Sequence, residues 1–204
     1  VRCYGQMGTD TRRAVFLDRD GVINENRPDH VKSLSEFVIL PGAIEGIRLL
    51  ATLGMPVVVV SNQSAINRRL VTFETLAAIT VHLIECIRSE GGRIDAVYYC
   101  PHRPDEACDC RKPRPGLFCQ AARQLGIRLS GSYLIGDALS DVDAALTVGA
   151  TPILVLTGRG RVALAASNGR MSPSVQVCED LLAAARWICE REELARSARV
   201  ATTA

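Results

Sequence analysis

Aromatic residues are scarce in this chain of 204: one Trp, four Tyr and four Phe, 4% of the total. The Lys and Arg residues are scattered, and no aromatic-rich basic patch forms. That excludes the stacking platform and positive groove expected of a nucleic-acid binder. Net charge is +2, too small to argue for a polyanionic partner. No run of about 18 apolar residues exists, so no membrane-spanning helix is expected. The N-terminus lacks the apolar segment of a secretory signal. Residues 1–12 read as a loose leader, with Met7 available as a start of translation. Without an export signal the expected compartment is the cytoplasm. There the eight cysteines are thiols or metal ligands rather than disulfides. Cys3, Cys86, Cys119, Cys178 and Cys189 stand alone and read as small buried or incidental thiols.

The chain does have the material for a core. Hydrophobic residues are 48% and charged residues 23%, which fits one globular domain over 1–204 with a core at about 13–195. Short apolar runs at 14–17, 56–60, 96–99, 132–135 and 152–156 read as strands covered on both faces. Helical patterns lie between them. Ile44, Ile47 and Leu50 precede Gly54. Leu76, Ile79, Leu83 and Ile87 follow Thr72, a suitable N-cap. Leu117, Ala121 and Leu125 end at Gly126. A fourth helix runs from about Asp141 to Gly149, and a last one spans 179–195 before a frayed tail at 196–204. Residues 21–40 read as a loop or hairpin. Strands alternating with helices predict a Rossmann-like three-layer α/β/α sandwich with a mainly parallel sheet.

In such a sheet the carboxyl ends of the strands hold the chemistry. Asp18 and Asp20 follow the first run, and Ser61-Asn62-Gln63-Ser64 the second. Arg111-Lys112-Pro113 comes after the third, and Gly136-Asp137-Ala138-Leu139-Ser140-Asp141 after the fourth. Asp-x-Asp-Gly alone also opens calcium loops and Asx-turns. Four polar strand ends carrying a Lys and several acids are harder to explain as turns. Two close carboxylates call for a cation. A divalent ion held by Asp18 and Asp137 would cancel repulsion between a carboxylate and a phosphoryl group, while Lys112 and Ser61 neutralise or donate to other oxygens. Asp18 then serves as nucleophile and Asp20 as general acid and base. Arg159-Gly160-Arg161 is a second basic cluster, able to bind a phosphate group, with a solvated loop as the plainer reading.

Asp18-x-Asp20, Ser61-Asn62, Lys112 and Gly136-Asp137-x-x-x-Asp141 resemble, in order, the four motifs of the haloacid dehalogenase-like (HAD) phosphohydrolases. The resemblance covers about residues 14–157. It implies Mg2+ bound by Asp18, the backbone carbonyl of Asp20 and Asp137, with Asp141 supporting the metal rather than binding it.

Cys100-Pro101-His102 and Cys108-Asp109-Cys110 form two ligand pairs five residues apart, in a loop at about 100–110. Three thiolates and one imidazole make a closed tetrahedral set, the composition of a structural Zn2+ site. The loop leads into Arg111 and Lys112, so zinc would position both. Together with Asn62-Gln63-Ser64, this loop resembles that of the heptose bisphosphate 7-phosphatases and their relatives, the histidinol-phosphate phosphatases. That resemblance implies substrate contacts from Asn62, Gln63, Arg111 and Lys112, no large cap domain, and a small phosphorylated sugar acted on by a monomer. Histidinol phosphate is the alternative substrate, and a non-catalytic zinc-stabilised binding protein the alternative class. Ala65, Arg69 and Ala138 depart from the family pattern, the first two replacing glycines and the third a basic residue. If the family glycine at 69 takes a positive φ, Arg69 is strained there.

Overall fold

The computed structural model describes residues 12–203, and in it the apolar runs pair into one six-stranded parallel sheet. The strands are β1 (Val15–Leu17), β2 (Val57–Asn62), β3 (Ala96–Cys100), β4 (Tyr133–Gly136), β5 (Thr151–Val155) and β6 (Gln176–Cys178), in spatial order β3-β2-β1-β4-β5-β6. The helices are α1 (Ala43–Ala51), α2 (Phe73–Ser89), α3 (Gly116–Leu125), α4 (Leu139–Val148), α5 (Gly160–Ala166) and α6 (Leu181–Thr203).

Alternation along the strands divides the core in two. Val15, Leu17, Val57, Val59, Ile135, Ile153 and Val155 pack under α1, α2 and α6. Phe16, Val58, Val60 and Leu134 pack under α3 and α4. Both faces are therefore dry, which is why these strands carry no polar alternation. Leu76, Ile79, Leu83 and Ile87 form the buried stripe of α2. Each such side chain contributes about 1.5–3 kcal/mol by leaving water. Thr72 starts α2 by accepting the Thr75 N–H at 3.1 Å. Gly126 and Gly149, both left-handed, end α3 and α4.

The structure differs from the sequence reading at several places. β2 runs on through Asn62 and β3 through Cys100, so Ser61, Asn62 and Cys100 lie within strand ends rather than after them. β6 is an additional edge strand; three residues, two half-buried and one buried, carry too little pattern to be read. The solvated loop at 159–161 opens α5, whose Ala-rich run favours helix. The tail at 196–204 continues α6 to Thr203, in keeping with its Ala and Arg content. Cys119 is disulfide-bonded rather than a thiol. The leader lies outside the described residues apart from Arg12. Among the described residues no helix is long and apolar enough to cross a membrane.

The segment between β1 and α1 folds back as a hairpin-like loop. Glu25 N donates to Val38 O and Leu40 N to Ile23 O, each at 2.9 Å. Its regular structure is one 3-10 turn, Leu34–Glu36, so no cap domain stands over β1. The order of strands reverses at β1, whose neighbours are β2 and β4. That switch point opens a crevice at their carboxyl ends.

Candidate active site

Asp18 follows β1 directly, and its N–H donates to Ile135 O of β4 at 2.9 Å. Asp137 follows β4, and Asp141 lies one helical turn on, in the first turn of α4. Carboxylate oxygens of Asp18, Asp137 and Asp141 all lie within 4.8 Å of one another, and all three residues are buried. Lys112, 3% exposed, enters from the far side of β2. Its Nζ reaches Asp18 Oδ1 at 3.0 Å, Asp141 Oδ1 at 2.7 Å and Val60 O at 2.8 Å. Burial works against its charge, but Asp141 and Asp18 outweigh this and hold the ammonium protonated. Burial pushes the Asp141 carboxyl up to about 7, Lys112 opposing and Asp18 adding to the rise. Burial and the Asp18 charge also raise Asp137, against the Arg159 N–H. One lysine does not neutralise three buried acids, so the donor set fits a hard divalent cation.

Two glycines shape the wall. A Cβ on Gly21 (φ +84°) would lie 2.1 Å from Asp137 Oδ2, and one on Gly158 (φ +54°) 2.3 Å from the same atom. Both positions need left-handed backbone and a bare Cα for Asp137 to fit between them.

A second cluster adjoins the first. Asp20 Oδ1 accepts from Asn24 Nδ2 at 2.8 Å, and Oδ2 accepts from Gln63 Nε2 at 2.8 Å. Gln63 Nε2 also donates to Ser61 Oγ at 3.0 Å. The Asp20 carboxylate is not one of the three gathered above; of the acids expected to offer side chains to a metal, Asp18 and Asp137 lie in that group, together with Asp141. Burial raises the Asp20 carboxyl, yet the Arg19 charge and the Asn24 and Gln63 hydrogen bonds hold it below the usual range. Asn62 grips the Lys112 peptide from both sides, accepting its N–H at 3.1 Å and donating to its C=O at 3.2 Å. Arg111 Nη1 donates to His102 O at 3.1 Å.

The cysteine loop closes beside them. Sγ–Sγ distances among Cys100, Cys108 and Cys110 are 3.3–3.6 Å, and His102 Nδ1 lies 3.2 Å from Cys110 Sγ and 3.6 Å from Cys100 Sγ. Tetrahedral zinc with Zn–S bonds of about 2.3 Å has edges of about 3.7 Å, close to this arrangement. Burial and then the neighbouring Cys110 push the Cys100 thiol up, so the sulfurs resist ionising together without a cation. Gln63 N donates to Cys100 O at 2.7 Å, which joins this loop to the end of β2.

Two arginines have contacts in the site that their sequence context does not specify. Arg159 N–H donates to Asp137 Oδ2 at 2.8 Å and its guanidinium lies 3.4 Å from Oδ1. The signal was the basic pair before α5, of which Arg161 does stay on the surface with Glu179. Arg159 supplies a charge at the strand end where Ala138 has none. The other is Arg19, fully buried beside Asp20, which belongs to the Asp18-Arg19-Asp20-Gly21 run that carries the family resemblance but has no role assigned by it. Arg69 takes φ 59°, the left-handed region expected of a glycine there, whereas Ala65 is simply buried.

A family model for HAD-hydrolase-like proteins matches residues 109–184. D-glycero-beta-D-manno-heptose-1,7-bisphosphate 7-phosphatase from Pseudomonas aeruginosa is 42% identical over 150 residues, covering 74% of this chain and 84% of the relative. The enzyme of that name from Pseudomonas putida is 40% identical over 174 residues, covering 85% and 98%. The crystal structure of D,D-heptose 1,7-bisphosphate phosphatase from Bordetella bronchiseptica, complexed with magnesium and phosphate, superposes with a TM-score of 0.83. It has 40% identity and covers 88% of this chain and 99% of its own. The acids, lysine and Cys/His loop gathered at this switch point thus sit in a chain that belongs to the HAD-like heptose bisphosphate phosphatase family.

Proposed function

We propose that the chain is a Mg2+-dependent phosphomonoesterase that removes the 7-phosphate of D-glycero-beta-D-manno-heptose 1,7-bisphosphate, with Asp18 as nucleophile. The observation that carries the chemistry is Asp18 buried against Lys112 Nζ at 3.0 Å, within cation-sharing reach of Asp137. The heptose substrate rests on the relatives' names and their coverage of this chain.

Mg2+, held by Asp18, Asp137 and the Asp20 carbonyl, would cancel the repulsion between carboxylate and phosphoryl group. Lys112 neutralises a further phosphoryl oxygen, and the Ser61 hydroxyl donates to another. An Asp18 oxygen bonds to phosphorus as the P–O bond to the sugar breaks, and the Asp20 proton passes to the departing alkoxide. Water then attacks the aspartyl-phosphate, giving its proton to Asp20. Inorganic phosphate leaves and Asp18 is restored. In the resting site Asp20 is a carboxylate; the approach of an anionic phosphoryl group raises its proton affinity, so it takes up one proton from solvent as substrate enters and returns one to solvent as inorganic phosphate leaves. Asn62 holds the Lys112 peptide, and Gln63 with Arg111 faces substrate. Zn2+ on Cys100, His102, Cys108 and Cys110 would hold the loop that carries Arg111 and Lys112. Every group named comes from one chain, so a cytoplasmic monomer acting on a small phosphorylated sugar suffices.

Phosphate release from both heptose bisphosphate anomers, histidinol phosphate and hexose phosphates tests the reading. The beta anomer is expected to turn over fastest. Equal slow rates for all reject the heptose assignment, and preference for histidinol phosphate replaces it. Asp18→Asn is expected to lower turnover by on the order of 10³-fold or more with zinc content unchanged. Retained turnover rejects Asp18 as nucleophile.

A further inference from the structure

Arg19 is placed in the site in a manner that stability does not explain. Its side chain is 0% exposed, with its guanidinium 6.0 Å from the Phe37 ring centroid and 5.9 Å from that of Tyr99. Nε donates to Asp20 Oδ1 at 3.1 Å, while Nη2 donates to Oδ1 at 2.8 Å and to Oδ2 at 3.0 Å. Nη2 also reaches Gln63 Oε1 at 3.2 Å. Among the described residues the buried Nη1 has no acceptor. Burying a guanidinium is expensive, and an orphaned donor adds about 1–3 kcal/mol to the cost. A residue kept only for packing would not carry both penalties. The geometry is that of an aiming device. Both rings lie within cation–π range of the guanidinium and limit where it can move. The guanidinium sets the plane of the Asp20 carboxylate through a planar fork that a lysine does not reproduce. Gln63 ties the same carboxylate to Ser61, and so to the phosphoryl side of the site.

We infer that Arg19 is a positioning residue. Clamped between Phe37 and Tyr99, it orients the Asp20 carboxylate for proton transfer to the leaving oxygen of the phosphate ester. This rests on the reading of Asp20 as general acid. The step concerned is the first half-reaction. The Asp18 O–P bond forms, the P–O bond to the sugar breaks, and the proton on Asp20 goes to the alkoxide. A misaimed acid matters most where the leaving group is a poor one. An alkoxide needs that proton, whereas a nitrophenolate leaves without it.

The test compares two leaving groups in the zinc-loaded, Mg2+-supplied enzyme: the heptose bisphosphate, an alkyl phosphate, and p-nitrophenyl phosphate, an aryl one. Arg19→Lys keeps the charge and loses the fork. Its single-turnover release of the sugar from the alkyl phosphate is expected to fall about 10²-fold, within the range that general acid–base groups contribute. Its single-turnover release of nitrophenolate from the aryl phosphate is expected to fall no more than a few-fold, with KM for both nearly unchanged. Equal losses on both substrates, or none, overturn the inference. Tyr99→Leu removes one ring wall and leaves the ion pair. It is expected to show the same selectivity at smaller size, and it carries the test alone if Arg19→Lys does not fold. Asp20→Asn separates the two ideas. If its single-turnover release of both leaving groups falls equally, the acid reading itself fails; steady-state loss on both is expected, because Asp20 also takes the proton of the hydrolytic water that both substrates share. If it is selective and the Arg19 and Tyr99 variants are not, only the positioning role fails.

Discussion

At the scale of the single residue, the metal cradle depends on what is missing from two positions. Gly21 and Gly158 press their bare Cα atoms against each other and against Asp137. A Cβ on Gly158 would lie 2.5 Å from Gly21 Cα. Gly21→Ala therefore displaces the Asp137 carboxylate and strains a backbone at φ +84°. Its Mg2+ affinity, measured by titration calorimetry, is expected to fall about 10–100-fold, as when the support of a ligand is lost. Zinc content is expected to stay the same. Unchanged Mg2+ affinity would show that the cradle tolerates a methyl group. Gly21 was legible in sequence only as part of an Asp-x-Asp-Gly turn. That it faces Asp137, 116 positions away, follows from β1 pairing with β4.

At the scale of the element, the cysteine loop and the end of β2 form one unit. Gln63 N bonds Cys100 O, Asn67 Nδ2 bonds Glu106, Asn62 holds the Lys112 peptide and Arg111 holds His102 O. Residues 101–115 contain one 3-10 turn, Pro104–Glu106, and otherwise rest on turn and side-chain bonds such as those from Arg114 Nη1 to Ala107 O and Cys108 O, with no helix or strand ladder to hold the loop once a metal is lost. Metal binding to such a loop is folding free energy. Chelation of the loop metal, or Cys108→Ser, is expected to release Arg111 and Lys112 together. Phosphate release should then fall at least tenfold even at saturating Mg2+, with hydrogen exchange rising over 100–115 and not in β1 or β4. Loss of protection throughout the chain would show that zinc holds the whole fold instead. The Cys and His residues that gather here could be read directly, because all four fall within eleven positions of one another. The grip of Asn62 on Lys112 could not, since a substrate contact and a backbone clamp use the same amide.

At the scale of the whole molecule, the start of the sheet is tied to the last helix away from the site. Arg13 Nη1 donates to Glu192 Oε1 at 2.8 Å, and the Tyr133 hydroxyl donates to the same oxygen at 2.6 Å. Burial raises the Glu192 carboxyl, but the Arg13 and Tyr133 hydrogen bonds outweigh it and leave it lowered. A lowered folded-state pKa means stability that is present above the ordinary glutamate range and is lost as pH falls through the folded value. Tyr133 has the opposite sign. Burial, then the Glu192 bond, push it up to about 12, so its contribution is present below 10 and is lost as pH rises toward 12. Glu192→Gln is expected to cost about 1–2 kcal/mol near neutral pH in chemical unfolding and to flatten the acid limb of the stability profile. An acid limb identical to that of the parent chain would show that other carboxylates govern it.

The local chemistry was determined by the sequence alone. Apolar runs covered on both faces, glycine stops, an N-cap at Thr72, Asp18 and Asp20 at a strand end and a cluster of three Cys and one His in one loop all depend on neighbours along the chain. Those signals survive in one dimension because a strand, a helix end and a tetrahedral ion each impose short spacings. What only the tertiary structure decided depends on partners far apart in sequence. It placed Arg159 on Asp137, shared Lys112 between Asp18 and Asp141, let two glycines meet around one carboxylate, and buried Arg19 between two rings. An arginine in sequence reads as solvated, because burying a charge is costly. Only folded neighbours can offset that cost, and they come from β1, β3 and the loop after β1 brought together at the switch point of the sheet.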